Sequence, residues 1–173
     1  MDIEYLKSKI REIMDFPTVG IKFKDITPLL EDKKAFHQSI FGLTEFFKNE
    51  KVDKVVGIDA RGFLLASAVA YLLNAGMVIV RKKGKLPYDK IVQTHDLEYG
   101  SASLEIHTDS VKKGERVAII DDVLATGGTA EAAVKLVKNV GGDIISLGFL
   151  IELESMNGRE KFKEHKVHSL LKF

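Results

Sequence analysis

The sequence contains no cysteine, which excludes disulfide staples and thiolate metal sites. Neither sign of charge dominates. Lys and Arg number 26 against 25 Asp and Glu, a formal net charge of +1, so there is no broad electrostatic case for binding nucleic acid or a membrane surface. No apolar run approaches the roughly 18 residues that a spanning helix needs. The opening Met1-Asp2-Ile3-Glu4 is acidic rather than basic, and no signal-peptide core follows. A cytoplasmic location is the resulting expectation. There are only three prolines, two of them in the single segment 15–30. The remaining material, 173 residues of which 45% are hydrophobic, suffices for one domain with a sizeable core.

The most informative stretch starts at Val117. The four residues to Ile120 are apolar without alternation, as in a parallel strand buried on both faces. Asp121 and Asp122 follow, then Val123-Leu124-Ala125-Thr126-Gly127-Gly128-Thr129. Gly127 and Gly128 permit backbone angles that other residues resist, and they allow close approach of a ligand. Thr126 and Thr129 add hydroxyl donors. Ala130, Ala133, Val134, Val137 and Val140 then recur at helical spacing until Gly141-Gly142. A glycine turn ahead of a helix aims unpaired N–H groups at an anion. Paired acids beside it would repel that anion, so they suit sugar hydroxyls or the neighbourhood of a metal shared with the ligand. A ribose 5-phosphate carries both features.

The rest of the chain alternates. Ile3, Leu6, Ile10 and Ile13 predict a first amphipathic helix, and 15–30 reads as a long connection. A second helix is expected through Phe36, Ile40, Leu43 and Phe47, opened by Asp32. Strands are expected at 55–58, 77–80 and 144–151, a helix at 63–73, and a short tail strand at 167–170. Residues 82–90 form a basic loop, and 91–107 form a hairpin or two extended arms around Gly100. This order predicts a parallel α/β sheet. Ligands of such sheets bind beyond the carboxyl ends of the strands. Asp59-Ala60-Arg61-Gly62, Arg81-Lys82-Lys83-Gly84-Lys85 and Asp121-Asp122 all follow strand ends, consistent with one shared cleft.

The string from Ile120 to Thr129 resembles the signature of the type I phosphoribosyltransferases, which bind phosphoribosyl pyrophosphate. It is not a P-loop, because no Gly-Lys-Ser/Thr tail follows the glycines, and it lacks the three spaced glycines of a dinucleotide fingerprint. The resemblance implies a single α/β domain, with a central, mostly parallel sheet flanked by helices. Residues 1–30 would supply an N-terminal helix and a small hood over the base site. It also implies that Asp121 and Asp122 hold the ribose hydroxyls while Ala125, Thr126, Gly127, Gly128 and Thr129 wrap the 5-phosphate. The loop of Asp59, Ala60 and Arg61 would bind pyrophosphate through backbone N–H groups, in some relatives across a cis peptide at Asp59-Ala60. Arg81 and Lys85 are further pyrophosphate candidates, with Tyr99 in a loop-ordering or phosphate role.

Leu97-Glu98-Tyr99-Gly100, Asp15-Phe16-Pro17, Phe23-Lys24-Asp25-Ile26-Thr27-Pro28 and Gly158-Arg159-Glu160-Lys161 extend the likeness to the adenine-using members of the family, over about residues 15–162. Those members imply that Lys22 and Lys24 read the adenine edge through their backbone, that Val123 and Leu153 sandwich the ring, and that Glu98 is the catalytic acid or base. Lys24 stands where the hood motif usually has arginine. Relatives that use 6-oxopurines place an aspartate at the position of Ala125. The implied products are AMP and pyrophosphate, the implied cofactor is Mg²⁺ held mainly by substrate and water with no residue assigned as a direct ligand, and the implied assembly is a homodimer. Two other readings stay open: a regulator that senses the pyrophosphorylated sugar without turnover, and a transferase for another base such as xanthine. The five histidines show no zinc-like spacing and are expected in surface or structural roles.

Overall fold

The computed structural model describes residues 1–96 and 101–173, with side chains for 1–94 and 102–173. The chain divides into two compact units, Met1–Gly42 and Leu43–Phe173.

The N-terminal unit departs from the expected first helix. Helix α1 covers only Ile3–Ser8, capped by the Asp2 carboxylate, which accepts from the Tyr5 N–H. The chain then enters strand β1 (Arg11–Met14), which pairs antiparallel with β2 (Lys22–Asp25). Ile13 is thus opposite Phe23 on a ladder rather than on a fourth helical turn. The reversal between the strands explains the change. Asp15 adopts a left-handed conformation (φ 58°) and its carboxylate accepts from the Gly20 N–H at 2.7 Å, which brings distant residues into register. The Phe16-Pro17 peptide is cis. The segment 15–30 is accordingly not one long connection, since it holds β2 and the start of a short helix α2 (Thr27–Glu31). Asp32 opens α3 (Lys33–Glu45) as expected, accepting from the N–H groups of Lys34 and Ala35 at 3.0 Å each.

The second unit is built on a seven-stranded sheet. Strand β3 (Lys54–Ile58) lies between β4 (Gly76–Lys82) and β7 (Arg116–Leu124), parallel to both. On one side, β8 (Asp143–Glu152) and β9 (Lys166–Lys172) extend it in parallel. On the other, the antiparallel pair β5 (Lys90–Asp96) and β6 (Ser101–His107) attaches through β6 to the end of β4. The strand order is β5-β6-β4-β3-β7-β8-β9. The two extended arms expected around Gly100 therefore pair with each other, and their connection lies outside the described residues.

Helix α4 (Arg61–Leu73) returns from β3 to β4, and α5 (Gly128–Asn139) returns from β7 to β8. These right-sized crossovers are what parallel strands need. Val56 and Ile58, Val117 and Ile119, Val78 and Val80 pack with Ala133, Leu136 and Val137 of α5 in one core cluster. The alternation of side chains along each strand sends Val55 and Gly57 the other way. Gly57 is required there, because a Cβ would meet Ala66 of α4 at 2.8 Å. Among the described residues no helix is long and apolar enough to cross a membrane.

Candidate active site

Parallel pairing sets three polar segments side by side. Ile58 is in register with Val80, and Gly57 with Ile120. Asp59 and Arg81 therefore stand level with each other one step beyond that pair, and Asp121 is level with Ile58, all toward the carboxyl ends of three adjacent strands. The clusters that the sequence set after strand ends come together in the second unit, with one adjustment: β7 runs on to Leu124, so Asp121 and Asp122 lie within the strand.

Both acids are buried, at 9% and 7% exposure. Asp121 Oδ1 accepts from the Asp122 N–H at 2.9 Å. Asp122 Oδ2 is 2.7 Å from Arg61 Nε, yet no hydrogen-bond donor is aligned on that oxygen among the described residues. It is an ion-paired atom with accepting capacity to spare. Burial pushes the Asp121 carboxyl well above the usual carboxylate range, and the neighbouring Asp122 charge adds to the effect. Burial also raises Asp122, against the opposing pull of the Arg61 guanidinium. Behind the pair, a Cβ on Gly62 would stand 2.6 Å from Asp121 Oδ1 and 3.1 Å from the Ile120 carbonyl. The first turn of α4 can back onto the acids only because that residue is glycine.

The loop after β7 has the character expected of a phosphate cup. Gly127 is left-handed (φ 80°) and, at the N-cap of α5, has no side chain to cap the helix, and a helix start of this kind favours an anion. Thr126 is exposed, Ala125 and Thr129 are half-buried, and Gly127 and Gly128 are buried. One flank rests on the 3-10 turn Gly158–Phe162. A Cβ on Gly127 would meet the Gly158 carbonyl at 2.7 Å, and one on Gly158 would meet the Ala125 carbonyl at 2.0 Å. The two backbones touch with no room for side chains.

At the end of β3 the Asp59-Ala60 peptide is cis, and Ala60 is exposed. The Asp59 carboxylate accepts from Arg81 Nε at 3.1 Å, and Arg81 Nη1 reaches the Lys85 carbonyl at 3.4 Å. The basic loop is anchored from behind by Glu105, which pairs with Arg81 across β4 and β6. Glu105 is fully buried, and its Oε1 accepts from the N–H groups of Lys85 at 2.8 Å and Leu86 at 2.7 Å. Burial alone would raise its carboxyl, but the N–H groups of Leu86, Gly84 and Lys85 together hold it below the ordinary range. The sequence places Leu104-Glu105-Ile106 and Gly62 among the segments that resemble the family, without a role for Glu105 or Gly62. A lone acid between Leu104 and Ile106, in a strand otherwise apolar on that stretch, was the available signal.

Val123 is in register with Ile151, and the Leu153 N–H donates to the Leu124 carbonyl at 2.9 Å. Both proposed ring contacts thus sit at neighbouring strand ends, and both are half-buried. Lys22 and Lys24 belong to β2 of the N-terminal unit, where Lys24 Nζ pairs with Glu12 at 2.7 Å. Glu98 and Tyr99 lie outside the described residues. His168 stacks on Phe46, with centroids 4.8 Å apart, and His37 lies against Phe41 at 4.5 Å, so these two rings have packing roles. Among the described residues no three His, Asp or Glu side chains form a metal cage.

Comparison with known proteins identifies the family. Residues 28–172 match the phosphoribosyl transferase domain family. An adenine phosphoribosyltransferase of Geobacter metallireducens is 54% identical over 171 residues, covering 99% of this chain and 100% of that protein. The crystal structure of adenine phosphoribosyltransferase from Thermoanaerobacter pseudethanolicus superposes with a TM-score of 0.97 at 50% identity, covering 99% and 100% of the two chains. The enzyme from Saccharomyces cerevisiae, complexed with adenine and an imino-altritol bisphosphate, gives a TM-score of 0.91 at 36% identity over 98% of each chain.

Proposed function

Because this chain belongs to the phosphoribosyltransferase family, we propose that it transfers the phosphoribosyl group of phosphoribosyl pyrophosphate to adenine, giving AMP and pyrophosphate in a purine-salvage step. The observation that carries the reading is the meeting of two buried acids with the uncapped start of α5 at the end of one strand. A diol and a phosphate on one sugar fit that pair of features.

In this mechanism N9 of adenine attacks C1′ of the ribose. As the N9–C1′ bond forms, the C1′–O bond to pyrophosphate breaks, and the imidazole proton of adenine, carried on N7, passes to Glu98. Asp121 and Asp122 accept from the ribose hydroxyls and fix the ring. The loop 125–129 holds the 5-phosphate through backbone N–H groups and the Thr126 and Thr129 hydroxyls. Arg61, Arg81 and Lys85, with the backbone at Asp59 and Ala60, would hold the departing pyrophosphate, and Tyr99 would order the loop or contact phosphate. Positioning and charge stabilisation of this kind are the main levers for such a reaction. The spare accepting capacity of Asp122 Oδ2 fits a water carried by Mg²⁺. Most ligands of the ion would come from substrate and water, as is usual for Mg²⁺ at phosphates. Bound there, Mg²⁺ would neutralise charge on the pyrophosphate.

Val123 and Leu153 would lie on the two faces of the adenine ring. Ala125 cannot exchange a proton with N7, so that duty falls to Glu98. Replacing Glu98 with alanine is expected to lower kcat about a hundredfold while both KM values move only a few fold. Equal losses in kcat and binding, measured by steady-state kinetics, would remove Glu98 from the chemistry. We place the reaction in the cytoplasm and the enzyme in a homodimer. The exposed Leu64, Tyr71 and Leu72 of α4 are the kind of surface that a second copy would cover.

The test is a panel of bases. Adenine should exceed hypoxanthine, guanine and xanthine by at least about a hundredfold in kcat/KM with Mg²⁺ and phosphoribosyl pyrophosphate. Preference for another base would overturn the substrate. Binding of phosphoribosyl pyrophosphate without AMP formation would favour a sensor over an enzyme.

A further inference from the structure

Arg159 touches none of the groups assigned above, yet it is among the most heavily bonded side chains of the second unit. Its Nε and Nη2 donate to the two carboxylate oxygens of Glu152, at 2.8 and 2.5 Å. Nη1 donates to the Val167 carbonyl at 2.6 Å, and Nη2 also reaches Ser169 Oγ at 3.2 Å. One guanidinium therefore ties the Gly158–Phe162 turn to both β8 and β9. Glu152 is buried, at 5% exposure, and the guanidinium holds its carboxyl below the usual range. A two-pronged contact of this type fixes orientation as well as distance.

The turn so fixed is the wall of the phosphate cup. Gly158, next to Arg159 in the chain, abuts the backbone of Ala125 and Gly127. At the far end of the turn, Lys161 Nζ pairs with Glu131 in the first turn of α5 at 3.1 Å, and Phe162 enters the core. Gly127 has neither a Cβ nor a capping side chain to define its own place. A shift of the wall is therefore passed directly to the N–H groups of the loop.

We infer that Arg159, through its clamp on Glu152, is a positioning residue that sets the shape of the 125–129 loop and hence the grip on the 5-phosphate end of the substrate. This rests on the reading of that loop as a phosphate cup.

The test uses the full chain with Arg159→Met, Arg159→Lys and Glu152→Gln. Ribose 5-phosphate and adenine binding are measured by calorimetry beside steady-state kinetics. The KM for phosphoribosyl pyrophosphate and the Kd for ribose 5-phosphate should rise roughly tenfold to a hundredfold in Arg159→Met, because sub-ångström misplacement of binding groups carries costs of that order. Adenine binding should stay within about twofold, since the clamp acts on the phosphate end. Lysine should restore little, because an ammonium cannot fork onto two oxygens and a carbonyl at once. Glu152→Gln should move the same constants in the same direction, and it carries the test if Arg159→Met does not fold. A lower Tm with unchanged phosphate-end constants, or equal weakening of both substrates, would overturn the inference and leave Arg159 as a structural tie. Failure of the wild-type protein to bind ribose 5-phosphate would instead sink the phosphate-cup reading, and this inference with it.

Discussion

Asp121→Asn should lower kcat/KM by about a hundredfold to a thousandfold while making the protein more stable at neutral pH. The two effects have one cause. Asp121 is buried beside a second carboxylate, and both circumstances oppose its ionisation. In the folded chain it therefore holds its proton to a higher pH than in the unfolded chain. Between the ordinary aspartate value, about 3.9, and the raised one, the native state binds more protons than the unfolded state. Stability from this group is fully present below that window and is lost as pH rises through it. Asparagine keeps the shape without the charge, so the loss disappears and stability at pH 7 should rise. The same substitution replaces a carboxyl oxygen with an amide donor, where the proposed mechanism has the ribose hydroxyls donate. Denaturant unfolding at pH 4 and pH 7, run beside kinetics, checks both halves. A variant that is inactive and also destabilised at pH 7 would contradict the account. Asp122→Asn should lose comparable activity with a smaller gain in stability, because Asp122 already has the Arg61 charge beside it.

Gly158→Ala is the second large effect. The added methyl would stand 2.0 Å from the Ala125 carbonyl oxygen and 2.9 Å from the Gly127 nitrogen. Both neighbours are backbone, so no rotamer change relieves the contact. The turn must leave the loop, or the loop must leave its place at the head of α5. Overpacking of this sort costs about 1–3 kcal/mol in stability. Displacement of the phosphate-binding N–H groups by an ångström costs about a hundredfold in kcat/KM, carried mainly by the KM for phosphoribosyl pyrophosphate. Thermal unfolding and substrate-resolved kinetics separate the two. Wild-type kinetics in a folded Gly158→Ala protein would show that the turn does not support the loop.

Such effects mark where sequence reasoning reaches and where it stops. The buried strand into Asp121 and Asp122, the glycine turn and the helix after it are legible because each is a local pattern. The period of apolar residues, a glycine at a left-handed position and acids at a strand end all lie within a dozen residues. The parallel order of β3, β4 and β7 follows from the alternation of strands and helices, and with it the meeting of Asp59, Arg81 and Asp121. The first helix was misjudged at Ile10 and Ile13 because their spacing from Leu6 fits a helix. The competing strand pairing depends on a reversal centred on Asp15, which periodicity does not register. Gly62, Glu105, Gly158 and the Arg159–Glu152 clamp were out of reach for a different reason. Gly62, Glu105 and Gly158 act on partners 19 to 59 residues away, from Glu105 to Leu86 and from Gly62 to Asp121, while Arg159 and Glu152, only 7 apart, face each other across a turn that no periodicity registers.

The Arg61–Asp122 contact has a consequence for discrimination among cellular anions. The cation that would attract a diphosphate is already engaged by the carboxylate that would attract a diol. Inorganic pyrophosphate can draw the guanidinium away only by stranding Asp122 in a poorly solvated place, and a neutral sugar offers the guanidinium nothing in exchange. A molecule bearing both groups on one frame satisfies both sides at once. With the proposed substrate, the internal pair would work as a lock with two tumblers, which neither half-key turns alone.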